Sequence, residues 1–342
     1  MNIFIINIVC FVLFPILILW KAEYLKMSWN ESVLTKDDSA AMRGIAAMLV
    51  VFSHYVDFMK RRGMNSLGPA SLIDYCGGLG VCVFFFASGY GLWMSYRNKN
   101  VDRSYLYNRF KNLIPTTIIL RLIFGLLLGK AKNGVLFFLL YIVNLKEPLW
   151  FISEIVLIYL IYYIAMKISS KHSIILVSFM LVLMSVIFYL LDFSAGWYNA
   201  NLVFTAGLLT AKCRKNILEF FKKQYLFKLI MMVLLFGICA VGFSVFKGDI
   251  WANVLKLIAG SIFSICIFCF LMKCRLHSEL LLIIGRCSLH LYIIHVGMMG
   301  IWAGFLGGDR LLLQFIGGII SSIITTVICY YVELYIKNKS TS

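Results

Sequence analysis

The sequence predicts an all-α polytopic membrane protein, on three observations. Of the 342 residues, 62% are hydrophobic and only 14% are charged. Mean hydropathy is +0.91. The apolar residues fall in runs of roughly 20, the helix length that crosses a bilayer's hydrocarbon core. A soluble domain of this size needs about a quarter of its residues charged to cover its surface. Aromatics at 15% and only 4 Pro exclude a disordered or fibrous chain.

About eleven transmembrane runs are expected, roughly at 3–20, 41–58, 78–96, 113–129, 149–167, 173–191, 198–211, 226–246, 252–272, 285–305 and 311–335. The seventh is short. The apolar patch 134–145 has the length of an interfacial or re-entrant segment. The first run carries no Lys or Arg before Lys21 and no small-residue cleavage site, so it reads as an uncleaved anchor. No internal repeat is present, and the connections are too short to fold as separate domains.

The net charge is +17. With no basic-aromatic recognition module, this points to loops facing anionic lipid and not to nucleic acid. With the N-terminus outside, the inner connections hold 22 Lys and Arg and the outer ones 8, the latter including Lys146 and Lys247. That asymmetry predicts N-terminus out and C-terminus in. The outer Lys60-Arg61-Arg62 cluster runs against the rule. The ten Cys lie mostly in apolar runs, Cys76 being the one expected in a loop outside the bilayer. Cys266 and Cys269 share a helix-like stretch without the turn or ligand number of a zinc site, so no metal is expected.

Ionisable groups inside hydrocarbon are costly and therefore functional candidates. They are His54, Asp57, Arg121, Glu154, Lys256, His290, His295 and Glu333. In the second run Arg43 and His54 are eleven residues apart, three helical turns plus about 20°, so both share one face. Arg43 sits at the inner interface and His54 in the outer half, with small Ala46, Ala47 and Val50 between them, as a face bordering a narrow channel would be. Asp57 follows His54 at i+3, in reach of its imidazole. In the third run, glycines permit close helix approach and Ser88-Gly89 stands as a site of helix loosening.

The next connection carries five cations, among them Arg109 and Lys111, which can attract a phosphorylated donor. Pro115 then opens the fourth run as an N1 proline. The fifth run, beginning around Leu149 and Trp150, puts Glu154 about 7 Å below the outer surface, and His54 lies about 6 Å below it. In the tenth run Ser288, Tyr292 and His295 share one face, with His295 near mid-membrane, while His290 points elsewhere.

These pieces, in this order, resemble the integral-membrane acyltransferase family 3, which acylates bacterial surface glycans. Arg43 to His54 matches its R-x10-H. Phe84-Phe85 with Ser88-Gly89-Tyr90 looks like its F-F-x-x-S-G-F, Arg109 to Pro115 like its R-x-x-R-x-x-P, Leu149-Trp150-Phe151 like its L-W-F, and Ser288 to His295 like its S-Y-x-x-Y-L-x-H. Asn112 stands where the family has a second Arg, and Leu289 where it has Tyr. The family core has ten spans, so the resemblance implies an added N-terminal helix and cytoplasmic connection at 1–40 and a membrane acyltransferase domain at 41–342.

The resemblance implies O-acyl transfer, acetyl being the commonest group, from cytoplasmic acyl-CoA to a hydroxyl of a cell-surface or lipid-linked polysaccharide. The protein would be a multi-pass component of the cell membrane. Acetyl-CoA is then donor substrate and no cofactor is bound permanently. The partners are acyl-CoA, the glycan acceptor and the bilayer, and assembly as a homo-oligomer is compatible with this reading. Arg43 and His54 carry over as the essential pair, with Ser88, Arg109 and His295 in support. A thioester is already activated, so the chemistry still needed is a base at the acceptor hydroxyl, and imidazole suits that role. His54 is assigned the base, with Asp57 or Glu154 stabilising its imidazolium. Arg43, Arg109, Lys111 and Ser88 are assigned to acyl-CoA, and Tyr292, His295 and Trp150 to supporting roles. An exporter or flippase of lipid-linked glycan is the alternative class, but its usual repeated halves are absent. A glycosyltransferase would need larger outer loops with paired carboxylates.

Overall fold

The computed structural model describes residues 2–64, 67–97, 99, 101–143, 150–246, 248–306 and 310–341. Leu149, Lys146, Lys247 and the end of the 134–145 patch lie outside the described residues. Among those described, nine helices are long and apolar enough to cross a membrane. The helices are α1 (Ile3–Leu19), α2 (Lys36–Arg61), α3 (Cys76–Tyr96), α4 (Arg103–Leu127), α5 (Val135–Val143), α6 (Trp150–Ile168), α7 (Ser173–Leu190), α8 (Val203–Lys212), α9 (Arg214–Lys222), α10 (Tyr225–Val245), α11 (Ile250–Leu271), α12 (Glu279–Arg286), α13 (Ser288–Leu306) and α14 (Leu311–Thr341). The first and seventh expected runs are the shorter apolar helices α1 and α8. The chain is thus an all-α polytopic membrane protein. Its one sheet in the described residues is a two-residue antiparallel pairing of β1 (Glu23–Tyr24) with β2 (Cys274–Arg275).

The burial pattern matches a helix bundle in lipid. α2 is almost wholly buried at the centre, while α10 is exposed along most of its length, with Leu226, Val233, Ile238 and Val245 facing outward. In lipid, exposed apolar side chains are the ordinary outer surface, and helices associate through packing of small residues. Two glycine crossings do this at the site. Gly89 of α3 faces the backbone of α8, where an added Cβ would lie 2.1 Å from the Phe204 carbonyl oxygen. Gly207 of α8 returns the contact, its Cβ falling 2.1 Å from the carbonyl of Phe86. The second crossing joins α2 and α12. A Cβ on Gly285 would lie 1.8 Å from the Ala40 carbonyl, and one on Gly44 2.4 Å from that of Leu281. Gly207→Ala is therefore expected to destabilise by roughly 1–3 kcal/mol, the usual cost of overpacking. Gly237→Ala, whose Cβ meets nothing within 4 Å, should be neutral. Thermal unfolding of the detergent-purified protein checks both.

Several expectations from the sequence are corrected here. Ser88-Gly89 does not loosen a helix: α3 is continuous, and Gly89 serves close packing. Pro115 is not an N1 proline. α4 starts twelve residues earlier, at Arg103, because Asp102 caps it by accepting the Ser104 N–H at 3.1 Å. The expected run 285–305 is two helices divided at Cys287, since α12 must turn to cross α2 backbone to backbone. Cys76 begins α3 instead of lying in a loop, its thiol donating to the Leu72 carbonyl at 3.6 Å.

The segment between α1 and α2 is tied into the bundle. Lys273, just past α11, donates to the carbonyls of Leu25, Lys26 and Ser28 at 2.9, 3.2 and 3.1 Å. Asn30 donates to Asp38 and to the Leu271 carbonyl. Thr35 and Asp38 close a capping box at the start of α2: the Asp38 N–H donates to the Thr35 hydroxyl at 3.2 Å and the Thr35 N–H to the Asp38 carboxylate at 3.1 Å. A capping box satisfies backbone donors that a helix start leaves free. Here it also sets α2 five residues ahead of its expected start, so that Arg43 lies in the second turn.

Candidate functional site

At one end of the bundle a cavity of about 950 Å³ opens between the α1–α2 segment, α2, α3, α4, α6, α9, α12 and α14. Its cations are Lys36, Arg43, Arg109, Arg214 and Arg286, against Asp37. Asp37 is already paired with Arg286 at 2.9 Å. The glycine crossing of α2 and α12 places two of these arginines, because Arg43 precedes Gly44 and Arg286 follows Gly285. Arg43 is held by its Nε–H, which donates to the Ser39 carbonyl at 3.2 Å. Arg109 lies among three tyrosine rings, 5.7 Å from Tyr96, 5.8 Å from Tyr105 and 5.9 Å from Tyr159. Among the described residues its buried Nε has no hydrogen-bond partner. Guanidinium groups held by aromatic faces, without carboxylates, are suited to phosphate. Ser88 lines the same cavity, with the Tyr159 hydroxyl 3.5 Å from its Oγ.

Of the residues expected to meet acyl-CoA, Arg43, Arg109 and Ser88 are brought together and Lys111 is not. Lys111 is exposed, with its ammonium 5.6 Å from the Tyr107 ring. The reason is the longer α4: on a helix, residues two apart point about 200° from each other. Arg214, Arg286, Tyr159 and Tyr330 line the cavity and were not singled out in the sequence, where the two arginines counted only toward orientation. The mirrored dipeptides Arg43-Gly44 and Gly285-Arg286 are the signal that was available.

Further along α2, His54 meets His295 of α13. Their Nδ1 and Nε2 atoms are 2.7 Å apart, and the rings stack with centroids 4.9 Å apart. His295 is fully buried, and its Nδ1 lies 2.8 Å from the Leu291 carbonyl oxygen. A carbonyl only accepts, so His295 donates from Nδ1, and in the neutral ring its Nε2 must then accept. His54 therefore donates from Nδ1, which leaves His54 Nε2 with a free lone pair. The chain Leu291–His295–His54 fixes the tautomer in which His54 is a base. His54 itself is only partly buried.

The ring nitrogen that meets His54 is thus that of His295, where Asp57 or Glu154 was expected. Asp57 pairs with Arg61 at 2.9 Å and lies in electrostatic reach of His54. Glu154 is fully buried, and neither carboxylate oxygen has a hydrogen-bond partner among the described residues. It lies near Cys82, which is also near Lys256. Lys256 lays its stem along Gly78, and its ammonium is 6.0 Å from the Phe243 ring. His290 is set apart from the histidine pair, 2.7 Å from Glu333, which also accepts from the Thr116 hydroxyl and pairs with Lys337. Asn112, the departure from the basic stretch, accepts from Lys337 at 3.0 Å.

The remaining motif residues converge on the pair. Phe85 packs on Phe151 with centroids 5.1 Å apart, Phe84 on Phe151 at 5.5 Å, Phe151 on Tyr292 at 5.2 Å, and Tyr292 on His295 at 6.0 Å. Trp150 stands edge-on to Phe151 at 6.5 Å and packs over Gly196. Phe84 and Phe85 are one turn beyond Ser88 on α3, and Phe151 is two turns beyond Tyr159 on α6. An aromatic layer thus stands between the arginine cavity and the histidines. The expected channel along α2 is closed: Ala46 and Val50 pack on α3, where a Cβ on Gly80 would lie 2.6 Å from the Ala46 carbonyl oxygen and 2.9 Å from a Val50 methyl. His54 is not among the cavity's lining residues.

A family model, described as an acyltransferase domain of family 3, matches residues 38–332. The chain belongs to this acyltransferase family. The match runs from the capping box of α2 into α14, so it takes in Arg43, the aromatic layer and both histidines. Comparison with curated proteins and with solved structures gives no match. Membership in acyltransferase family 3 makes this a transferase of acyl groups, with a cation-lined cavity and a histidine pair in one bundle.

Proposed function

We propose that the protein is an O-acetyltransferase of the cell membrane that moves an acetyl group from cytoplasmic acetyl-CoA to a hydroxyl of a cell-surface or lipid-linked polysaccharide. The observation that carries this reading is α2 itself. One helix bears Arg43 in an arginine-lined cavity and, eleven residues on, His54 with a free Nε2. That spacing is about 16.5 Å along the helix, a length the pantetheine arm can span.

In this reading the N-terminus is outside, the C-terminus is inside, and eleven segments cross, with 1–40 added ahead of the acyltransferase domain. Arg43, Arg109, Arg214 and Arg286 hold the phosphates of CoA at the inner surface. Ser88 and Tyr159 line the path of the arm. The aromatic layer of Phe84, Phe85, Phe151 and Tyr292 parts to admit the thioester and excludes water otherwise. His54 Nε2 takes the proton of the acceptor hydroxyl as its oxygen attacks the thioester carbonyl. The imidazolium that forms keeps donating from Nδ1 to neutral His295. The C–S bond breaks, the CoA thiolate leaves and the proton is released to it. Proton transfer of this kind contributes roughly 10²–10⁴-fold to a rate.

The test is purified protein in nanodiscs with acetyl-CoA and a hydroxylated glycan acceptor. Acceptor-dependent CoA release with an acetyl ester on the glycan is the expected result. Glycan binding without CoA release would indicate a carrier and refute the proposal.

A further inference from the structure

α4 carries a cation that donor binding does not use. Arg121 is only 4% exposed, although it lies within a membrane-spanning helix. Its Nη2 donates to the Tyr141 carbonyl of α5, and its guanidinium lies 4.4 Å from the Tyr141 ring. Its Nε is buried without a partner, and no carboxylate pairs with it among the described residues. A buried guanidinium without a counter-charge is costly in hydrocarbon, and such residues ordinarily face a ligand or a path. Arg121 and Lys130 line one small cavity, of about 200 Å³, together with Phe124, Leu128, Tyr141 and the α13 residues Ile293, Val296 and Gly297.

The place of this cavity is specific. Ile293, Val296 and Gly297 share the face of α13 that is turned away from His295, since residues two apart on a helix point about 200° from each other. A Cβ on Gly297 would lie 2.2 Å from the Phe124 ring, so this glycine lets α4 close against the histidine helix. Arg121 and His54 each lie eighteen residues from the start of their helices, at the same rise. The surfaces beside the cavity are apolar and exposed: Leu122, Ile123 and Leu126 on α4, and Val135, Leu136 and Leu139 on α5. A water-borne anion would gain nothing from such a flank, whereas an anion attached to acyl or prenyl chains would lay its chains along it.

We infer that Arg121 and Lys130 form an anion subsite between α4 and the back of the histidine-bearing helix α13 that binds the phosphate ester of a membrane-embedded lipid, entering sideways from the bilayer. This deepens the acetyltransferase reading and rests on it for the consequence that the acceptor hydroxyl is presented by a lipid-phosphate carrier. Arg121 makes a charge-assisted fork to the phosphate from a site with no competing carboxylate. Lys130, on the turn Lys130–Asn133, closes over it from the aqueous side.

The test is a binding measurement that needs no turnover. Fluorescent phosphatidic acid is titrated against the full chain in neutral detergent. Binding is then competed with unlabelled phosphatidic acid, with diacylglycerol (the same chains without phosphate) and with inorganic phosphate (the same anion without chains). Arg121→Gln and Lys130→Gln are each expected to weaken binding by about tenfold or more, with Arg121→Lys intermediate. Diacylglycerol should compete poorly, and inorganic phosphate only at millimolar concentrations. Wild-type affinity in both Gln variants overturns the subsite. Competition by diacylglycerol as strong as by phosphatidic acid overturns phosphate recognition, and competition by inorganic phosphate at equal concentration overturns the lipid as its source. Lys130 is partly exposed, so Lys130→Gln decides the matter even where Arg121→Gln fails to fold. Arg121-dependent binding without acceptor-dependent CoA release would uphold the subsite while removing the acetyltransferase reading.

Discussion

His54→Ala is expected to lower acyl transfer by roughly 10²–10⁴-fold, the usual contribution of a positioned base. His54→Gln should be as inactive, because its amide can donate to His295 yet offers no base. That variant also preserves packing: His54→Ala leaves His295 Nε2 as a buried acceptor without a donor, at a cost of about 1–3 kcal/mol, and Gln restores the donor. Rates of acetyl ester formation, with melting curves of each variant, separate chemistry from folding. His295→Gln should also lose activity, since the fixed tautomer of His54 depends on the ring 2.7 Å away. The double variant should be little worse than either single one, because the two residues act as a unit. Asp57→Asn should stay within about threefold of wild type, as its carboxylate is engaged by Arg61. A folded His54→Gln protein with near-normal transfer would remove the base from the mechanism.

Arg43→Ala is expected to raise the KM for acetyl-CoA by about 10–100-fold. Charge-assisted contacts of arginine to phosphate contribute about 1.5–3 kcal/mol each, and about 1.4 kcal/mol is tenfold. Arg43→Lys should recover only part of this, because an ammonium keeps the charge and loses the planar fork. Arg109→Ala should behave like Arg43→Ala, since Arg109 lines the same cavity. Lys111→Ala should be close to neutral, since Lys111 lies outside that cavity. Steady-state kinetics in acetyl-CoA read this directly. An unchanged KM with a collapsed kcat would place Arg43 at the reacting atoms instead of at the donor's phosphates.

The contrast between Arg109 and Lys111 shows where reading the sequence ran out. Both belong to one basic stretch, and composition treats them alike. They part because Asp102 starts a helix that runs through Pro115, and a helix turns residues two apart to different sides. A proline inside α4 was legible, but whether it opened the helix or lay within it depended on the cap. The closed channel is a second case. Ala46 and Val50 are small enough to border open space or to receive another helix, and their identity does not distinguish the two outcomes. Gly80 on α3 decided it.

By itself the sequence determined what depends on short-range rules. Apolar run length and helical period marked a bundle of membrane helices, put Arg43 and His54 on one rod, and set Ser288, Tyr292 and His295 on one face of another. Tertiary structure alone decided which rods touch. His54 and His295 are 241 residues apart in the chain and meet because α2 packs against α13. Helical periodicity fixes the direction of a side chain about its own axis, but a partner across a crossing is chosen by how closely two backbones approach. That approach is set by glycines such as Gly44 and Gly285 at one crossing and Gly89 and Gly207 at another, which carry no mark in the sequence of which backbone they face.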